Sequence, residues 1–264
     1  MAFFARLGVK DLGSYALVQR YDPVWAAKNL RNSCRVKVVP QIHVPIVFIL
    51  HVFISLVDAL AYIHHGLHRV NSEQEDELHE VDPNHIPIIH GDIKPQNILL
   101  RWPEGKPYCG LLIVLADSGC AEVASQSKGV CGTEGYDSPE VAAFLQLRKN
   151  DRARYERVKD SPVMSTKSDI YQLDLVMYIL ATYALWSIGE ARERVRLPPG
   201  YDEFAQVKKE LEEAMNCCSE VQPGRRPEAR VLLVKAKVLK LRRDRLVERY
   251  GTLPKAVWRN LTGD

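Results

Sequence analysis

Apolar side chains are densest between Val44 and Leu60, and their pattern carries on to His65. Within Phe48–His65, the residues Leu50, Phe53, Ile54, Val57, Leu60, Ala61 and His64 recur at steps of three and four, the spacing of a helix face. Gly66 follows where such a helix would stop. A membrane span needs ~20 apolar residues. Val44–Leu60 is shorter and contains His51 and Asp58, so a buried helix is expected. The period then changes. Ile98–Arg101 and Leu111–Ala116 are short apolar runs on either side of Pro103-Glu104-Gly105-Lys106-Pro107, the pattern of a hairpin. Helical spacing returns in Asp169–Leu185, with Asp169 at the end where a carboxylate meets unpaired N–H groups. Tyr201–Cys218 reads as an amphipathic helix broken by Pro223–Pro227. Arg230–Tyr250 reads as a long basic helix, with Val231, Val234, Val238 and Leu241 as its packed face.

The polar stretches predict surface. Asn71–Asp82 carries Glu73, Glu75, Asp76, Glu77, Glu80 and Asp82, a solvated insertion taken to run over 71–84. Arg148–Lys159 reads as a second, helical and charged insertion. His64 and His68 stand one turn apart, yet no HExxH pattern or cysteine pair supports zinc, so polar histidines at a helix end are expected. The 264 residues are 46% hydrophobic, enough for a substantial core, and the net charge of +3 indicates no particular partner; no nucleic acid and no membrane are expected. Cys34, Cys109, Cys120, Cys131, Cys217 and Cys218 show no metal or disulfide spacing, which favours a cytoplasmic or nuclear location. Nothing at the N-terminus has the form of a signal peptide.

The candidate chemistry precedes the first strand. His90-Gly91-Asp92-Ile93-Lys94-Pro95-Gln96-Asn97 offers a carboxylate, an ammonium and an amide in a short loop. Pro95 fixes its own φ and biases Lys94 towards extended geometry. If the two apolar runs form a hairpin, its open end brings Asn97 beside Asp117, with Asp92 and Lys94 close by. An amide and a carboxylate converging in this way suit Mg²⁺, and a second carboxylate without a metal can take a proton from a hydroxyl.

His90–Asn97 resembles the catalytic loop of protein kinases, and Asp117-Ser118-Gly119 resembles their metal-binding tripeptide. Gly132–Glu140 is similar to the end of a kinase activation segment, and Ser168–Leu173 to the start of the buried central helix. Pro223-Gly224-Arg225-Arg226-Pro227 is similar to the late Arg-Pro motif. The motifs stand in the family's order over roughly residues 46–240. Lysine two places after Asp92 matches the serine/threonine type, with a flavour closest to fungal NIMA-like kinases. The resemblance implies an α+β, helix-dominated large lobe over 46–250, with a small β-hairpin carrying the site and a tail at 251–264. It implies transfer of the ATP γ-phosphoryl group to protein hydroxyls, with ATP and Mg²⁺ as cofactors and a protein as substrate. Asp92 would be the base, and Lys94 would neutralise the transferring group. Asn97 and Asp117 would hold Mg²⁺, and Thr133 would bridge Asp92 and Lys94. His90, Glu140, Asp169 and Arg226 would be structural, with Arg226 paired to Glu140 and Asp169 holding the loop backbone.

The chain departs from the family in four places. Gly91 replaces an arginine, so a phosphate on Ser125 or Ser127 would lack its usual partner. Ser118 replaces a phenylalanine. Asp174 replaces a glycine, and a buried unpaired aspartate costs several kcal/mol, so it must find a partner or face outward. Residues 1–45 hold only echoes of a small lobe: Leu12–Val18 for the Gly-rich loop, and Trp25–Leu30 with Lys28 for the nucleotide-binding lysine. No glutamate precedes Glu73 to pair with Lys28. A truncated kinase with little turnover is therefore expected; the alternative is an inactive pseudokinase acting as a binding or scaffold module.

Overall fold

The computed structural model describes residues 46–69, 79–101, 112–182 and 204–250. Lys28 and the two N-terminal echoes, the acidic residues of 71–78 and the tail 251–264 lie outside the described residues. Six helices are described: α1 (Ile46–His65), α2 (Pro139–Asn150), α3 (Arg152–Val158), α4 (Thr166–Thr182), α5 (Ala205–Asn216) and α6 (Ala229–Tyr250). Six short strands, β1 (Leu67–Arg69), β2 (His79–Val81), β3 (Ile88–Ile89), β4 (Ile98–Arg101), β5 (Leu112–Leu115) and β6 (Glu122–Val123), form three separate antiparallel pairs. The architecture is α+β and helix-dominated, in agreement with the fold class inferred from the sequence.

The helix α1 carries apolar residues all round, and a helix of that kind belongs inside a core. Ile49, Leu50, Phe53, Val57 and Ala61 have no exposed surface. Full burial of each large side chain is worth about 1.5–3 kcal/mol, so α1 is the main post of the fold. It packs chiefly on α6, and also on α4 and β5. The helix ends where the Gly66 N–H donates to the Tyr62 carbonyl at 2.7 Å. At 20 residues α1 is long and apolar enough to cross a membrane, which corrects the length estimate from Val44–Leu60. Its surroundings are protein: α4, α5 and α6 supply Ile170, Leu173, Leu211, Met215, Leu232 and Leu239 to the same core.

Three expectations need correction, and one open alternative, for Asp174, is decided. Val231, Val234, Val238 and Leu241 face solvent, between 46% and 66% exposed, whereas Leu232, Leu233, Ala236 and Leu239 pack inward. Two apolar stripes run along α6, and the one containing Ala236 offers the small side chain that lets a neighbouring helix approach. The acidic insertion does not run unbroken: its end forms β2 and pairs with β1 in the register Leu67↔Val81. Cys120 and Cys131, 11 residues apart, form a disulfide; chain reversal between them, invisible as spacing, brings them together. Asp174 faces inward at 1% exposure.

Candidate active site

The hairpin β4–β5 sets the frame. Its register pairs Ile98 with Leu115 and Leu99 with Val114. One step beyond the paired residues, the Ala116 N–H donates to the Asn97 carbonyl at 2.8 Å. Asp117 is therefore the next residue after one bonded to Asn97, at the open end of the hairpin. His90 closes the same corner, with Nε2 donating to the Ala116 carbonyl at 3.2 Å. The Nδ1 of the same ring accepts from the Asp92 N–H at 3.3 Å, which assigns the ring proton to Nε2.

Asp92, Lys94, Asn97 and Thr133 form one network. The Lys94 Nζ lies 2.5 Å from the Asp92 Oδ2 and 2.6 Å from the Thr133 Oγ1. The Asn97 Nδ2 donates to the Asp92 backbone carbonyl at 2.8 Å and to its Oδ2 at 3.1 Å. The Asp92 Oδ1 is buried and makes no hydrogen bond within the described structure. Burial pushes the Asp92 carboxyl up, but Lys94, Thr133 and Asn97 pressed against it outweigh burial and hold it below its ordinary range. The group is thus an ionised carboxylate at neutral pH, with Oδ2 committed to Lys94 and Asn97 and Oδ1 enclosed without a described partner.

The loop is held from beneath by α4. Asp169, fully buried, accepts from the His90 N–H at 2.8 Å and the Gly91 N–H at 2.9 Å. His64, from the end of α1, meets the same carboxylate at 2.8 Å. This corrects the reading of His64 as a polar histidine at a helix end: its ring is enclosed and pinned between two helices. Gln172, one turn after Asp169, accepts from the Ile93 N–H at 2.9 Å and donates to the Gly91 carbonyl at 3.2 Å. Gly91 takes a left-handed φ of 76°, and a Cβ there would stand 2.5 Å from the Met164 Cε. Met164 thus fills the space beside the missing arginine. Its sulfur also accepts from the Cys131 N–H at 3.0 Å, one residue before Gly132 and two before Thr133.

Arg226 and Glu140 form a bidentate pair at 2.8 and 2.6 Å, the geometry guanidinium and carboxylate favour. Burial raises the Glu140 carboxyl, and Arg226 with Ser138 pulls it below its ordinary range. Ser168, at the head of α4, donates to the same carboxylate at 2.8 Å. Asp117 differs from all of these. It is exposed, left-handed at φ 65°, and accepts only from the Gly119 N–H, at 3.3 Å, among the bonds described. Ser127 is buried and donates to the Glu122 Oε1 at 2.6 Å.

His64, Met164 and Gln172 were missed by sequence reasoning as parts of this site. For Gln172 a signal existed, since it shares the face of Asp169 at i+3. For His64 and Met164 the sequence carries none, because their partners are set by how helices and loops meet.

Comparison with known proteins agrees with the geometry. The family model described as protein kinase domain matches residues 49–236. A protein named probable myosin light chain kinase, from Dictyostelium discoideum, is 28% identical over 160 residues, 56% of this chain and 45% of that protein. A protein named serine/threonine-protein kinase A, from Synechocystis, is 31% identical over 101 residues, 36% of this chain and 16% of that protein. The chain therefore spans less than half the length of these curated relatives.

Proposed function

The chain belongs to the protein kinase family, and from that premise we propose that it transfers the γ-phosphoryl group of Mg·ATP to serine or threonine hydroxyls of a protein. The observation that carries this reading is the single network of Asp92, Lys94, Asn97 and Thr133, with Asp117 at its rim. The substrate oxygen attacks the γ-phosphorus, the bond to the β-phosphate oxygen breaks, and the hydroxyl proton passes to the Asp92 carboxylate. Lys94 neutralises charge on the transferring group. The donor set fits Mg²⁺: the Nδ2 of Asn97 is turned to Asp92, which leaves its amide oxygen as the ligand atom, and Asp117 adds a carboxylate. Bound there by Asn97 and Asp117, the metal would offset charge on the phosphates.

A second reading, a pseudokinase that binds without turnover, has its own observation. No glutamate precedes Glu73, so the stretch between Lys28 and Glu73 offers no glutamate of the kind the family pairs with its nucleotide-binding lysine. The deciding experiment incubates the 264-residue chain with Mg·ATP and dephosphorylated casein, and records both phosphate transfer and thermal stabilisation by Mg·ATP. Transfer supports the first reading. Stabilisation without transfer supports the second, and neither effect refutes nucleotide use by this chain.

A further inference from the structure

We infer that Gln172 is a positioning residue for Asp92, and that its side-chain amide replaces rigidity the loop loses at Gly91. The bonds run to the two residues that flank Asp92: the Gly91 carbonyl receives Nε2, and the Ile93 N–H is received by Oε1. A primary amide used in this way imitates a neighbouring strand and fixes the peptide planes on either side of one residue. Asp169 holds the N–H groups of His90 and Gly91, so the two α4 side chains together grip every residue from His90 to Ile93 except Asp92 itself. The side chain between those planes is the one that must meet a hydroxyl.

Why this chain needs the second grip follows from Gly91. A glycine at φ 76° has no Cβ to restrict it and no side chain to anchor it. Gly132 closes the other side of the same carbonyl: a Cβ there would come within 2.8 Å of the Gly91 oxygen and 4.0 Å of the Gln172 Nε2. The Gly91 carbonyl is thus enclosed between the Gln172 amide and the backbone that leads into Thr133. Gln172 is 5% exposed, so its amide exchanges no bonds with water at little cost. Losing it would leave the Ile93 N–H and the Gly91 carbonyl unpaired in a dry place.

The kinetic part of the inference rests on the kinase reading above; the structural part does not. The test uses the full chain with Gln172→Leu, which keeps the bulk and removes both bonds, and Gln172→Asn, which keeps the amide but is too short to span both. Backbone amide exchange by NMR is read at Ile93, with His90 and Gly91, held by Asp169, as internal controls. Exchange at Ile93 is expected to quicken roughly five- to tenfold in both variants, with His90 and Gly91 unchanged. With Mg·ATP and casein, kcat is expected to fall by up to about 10²-fold at constant KM, the cost of a misplaced reacting group. Unchanged exchange at Ile93 overturns the inference, as does an unchanged kcat in a variant whose Ile93 exchange has quickened. Equal acceleration at all three amides overturns it too, since that is general loosening. If the wild-type chain shows no turnover while Ile93 alone responds, the kinase reading fails and the grip on the loop stands. Should Gln172→Leu not fold, Gln172→Asn carries the same readouts.

Discussion

Two carboxylates stand at the mouth of one hairpin and live under opposite conditions. Asp92 is buried at 7% exposure, bonded by Lys94 and Asn97, and its backbone is bracketed from α4. Asp117 is exposed and rests on a turn of its own making. In the proposed mechanism the first belongs to the half of the site that meets a hydroxyl, and the described residues hold it on several sides. In the same proposal the second belongs to the half that would meet a nucleotide, and among the described residues its side chain has only the Gly119 N–H. The difference teaches that the two halves of such a site can be preorganised separately: one by side chains reaching up from a core helix, the other only by what docks above it.

The comparison breaks most readily at Asp92. If this carboxylate takes the proton, Asp92→Asn lowers phosphate transfer by about 10²–10⁴-fold, with the thermal midpoint little changed because Asn97 and Lys94 still have an acceptor there. Equal turnover in the variant and the wild type would show that the ordered half of the site is not the chemical half.

The next effect is on stability. Asp169→Ala leaves the His90 and Gly91 N–H groups and the His64 ring without their buried acceptor. Leaving buried donors without their acceptor typically costs on the order of 1–3 kcal/mol for each. Urea denaturation should show that loss. A cost below about 1 kcal/mol, the worth of one ordinary hydrogen bond, would mean the loop stands without α4.

Legibility in the sequence followed the same divide between local and distant causes. The hairpin could be read because Pro103–Pro107 and the apolar runs beside it act within a few residues of each other, and β4 and β5 pair much where that pattern put them. The catalytic-loop residues could be read because their motif is short and contiguous. His64 and Met164 could not, since their partners lie 105 and 33 residues away, and for Gln172, 79 residues from its partner, only its place one turn after Asp169 gave a signal. The facing of α6 was misread for a related reason. Val234 and Leu233 are both apolar, and which of two adjacent stripes goes inward is set by the helices α1 and α5 packed against α6. The Cys120–Cys131 bond likewise depends on a chain reversal that no spacing announces.

A smaller effect concerns pH. The Glu140 carboxyl is held below its ordinary value by Arg226 against the opposing pull of burial. The unfolded chain therefore binds that proton more readily than the folded one, so the stability Glu140 contributes is present at neutral pH and fades as pH falls below about 4.3. Glu140→Gln removes this dependence. Urea midpoints measured from pH 7 to pH 3 should converge for the two proteins as the pH drops; parallel curves would deny Glu140 its place in the pair.

The smallest expected change in stability is the one that tests the contrast most directly. Asp117→Ala removes an exposed side chain with a single 3.3 Å bond to Gly119, and surface substitutions of that kind fall within about ±0.5 kcal/mol. The left-handed φ of 65° does impose a cost on alanine, so Asp117→Gly serves as the partner variant that separates backbone strain from the loss of the carboxylate. Both variants should unfold close to the wild type, and both should lose whatever stabilisation Mg·ATP gives it. If instead Asp117→Gly proves as destabilising as Asp169→Ala, the carboxylate is a structural element and the two halves of the site are not built separately. If Mg·ATP stabilises both variants as well as it does the wild type, the metal does not depend on Asp117, and the proposed ligand role of that carboxylate is overturned.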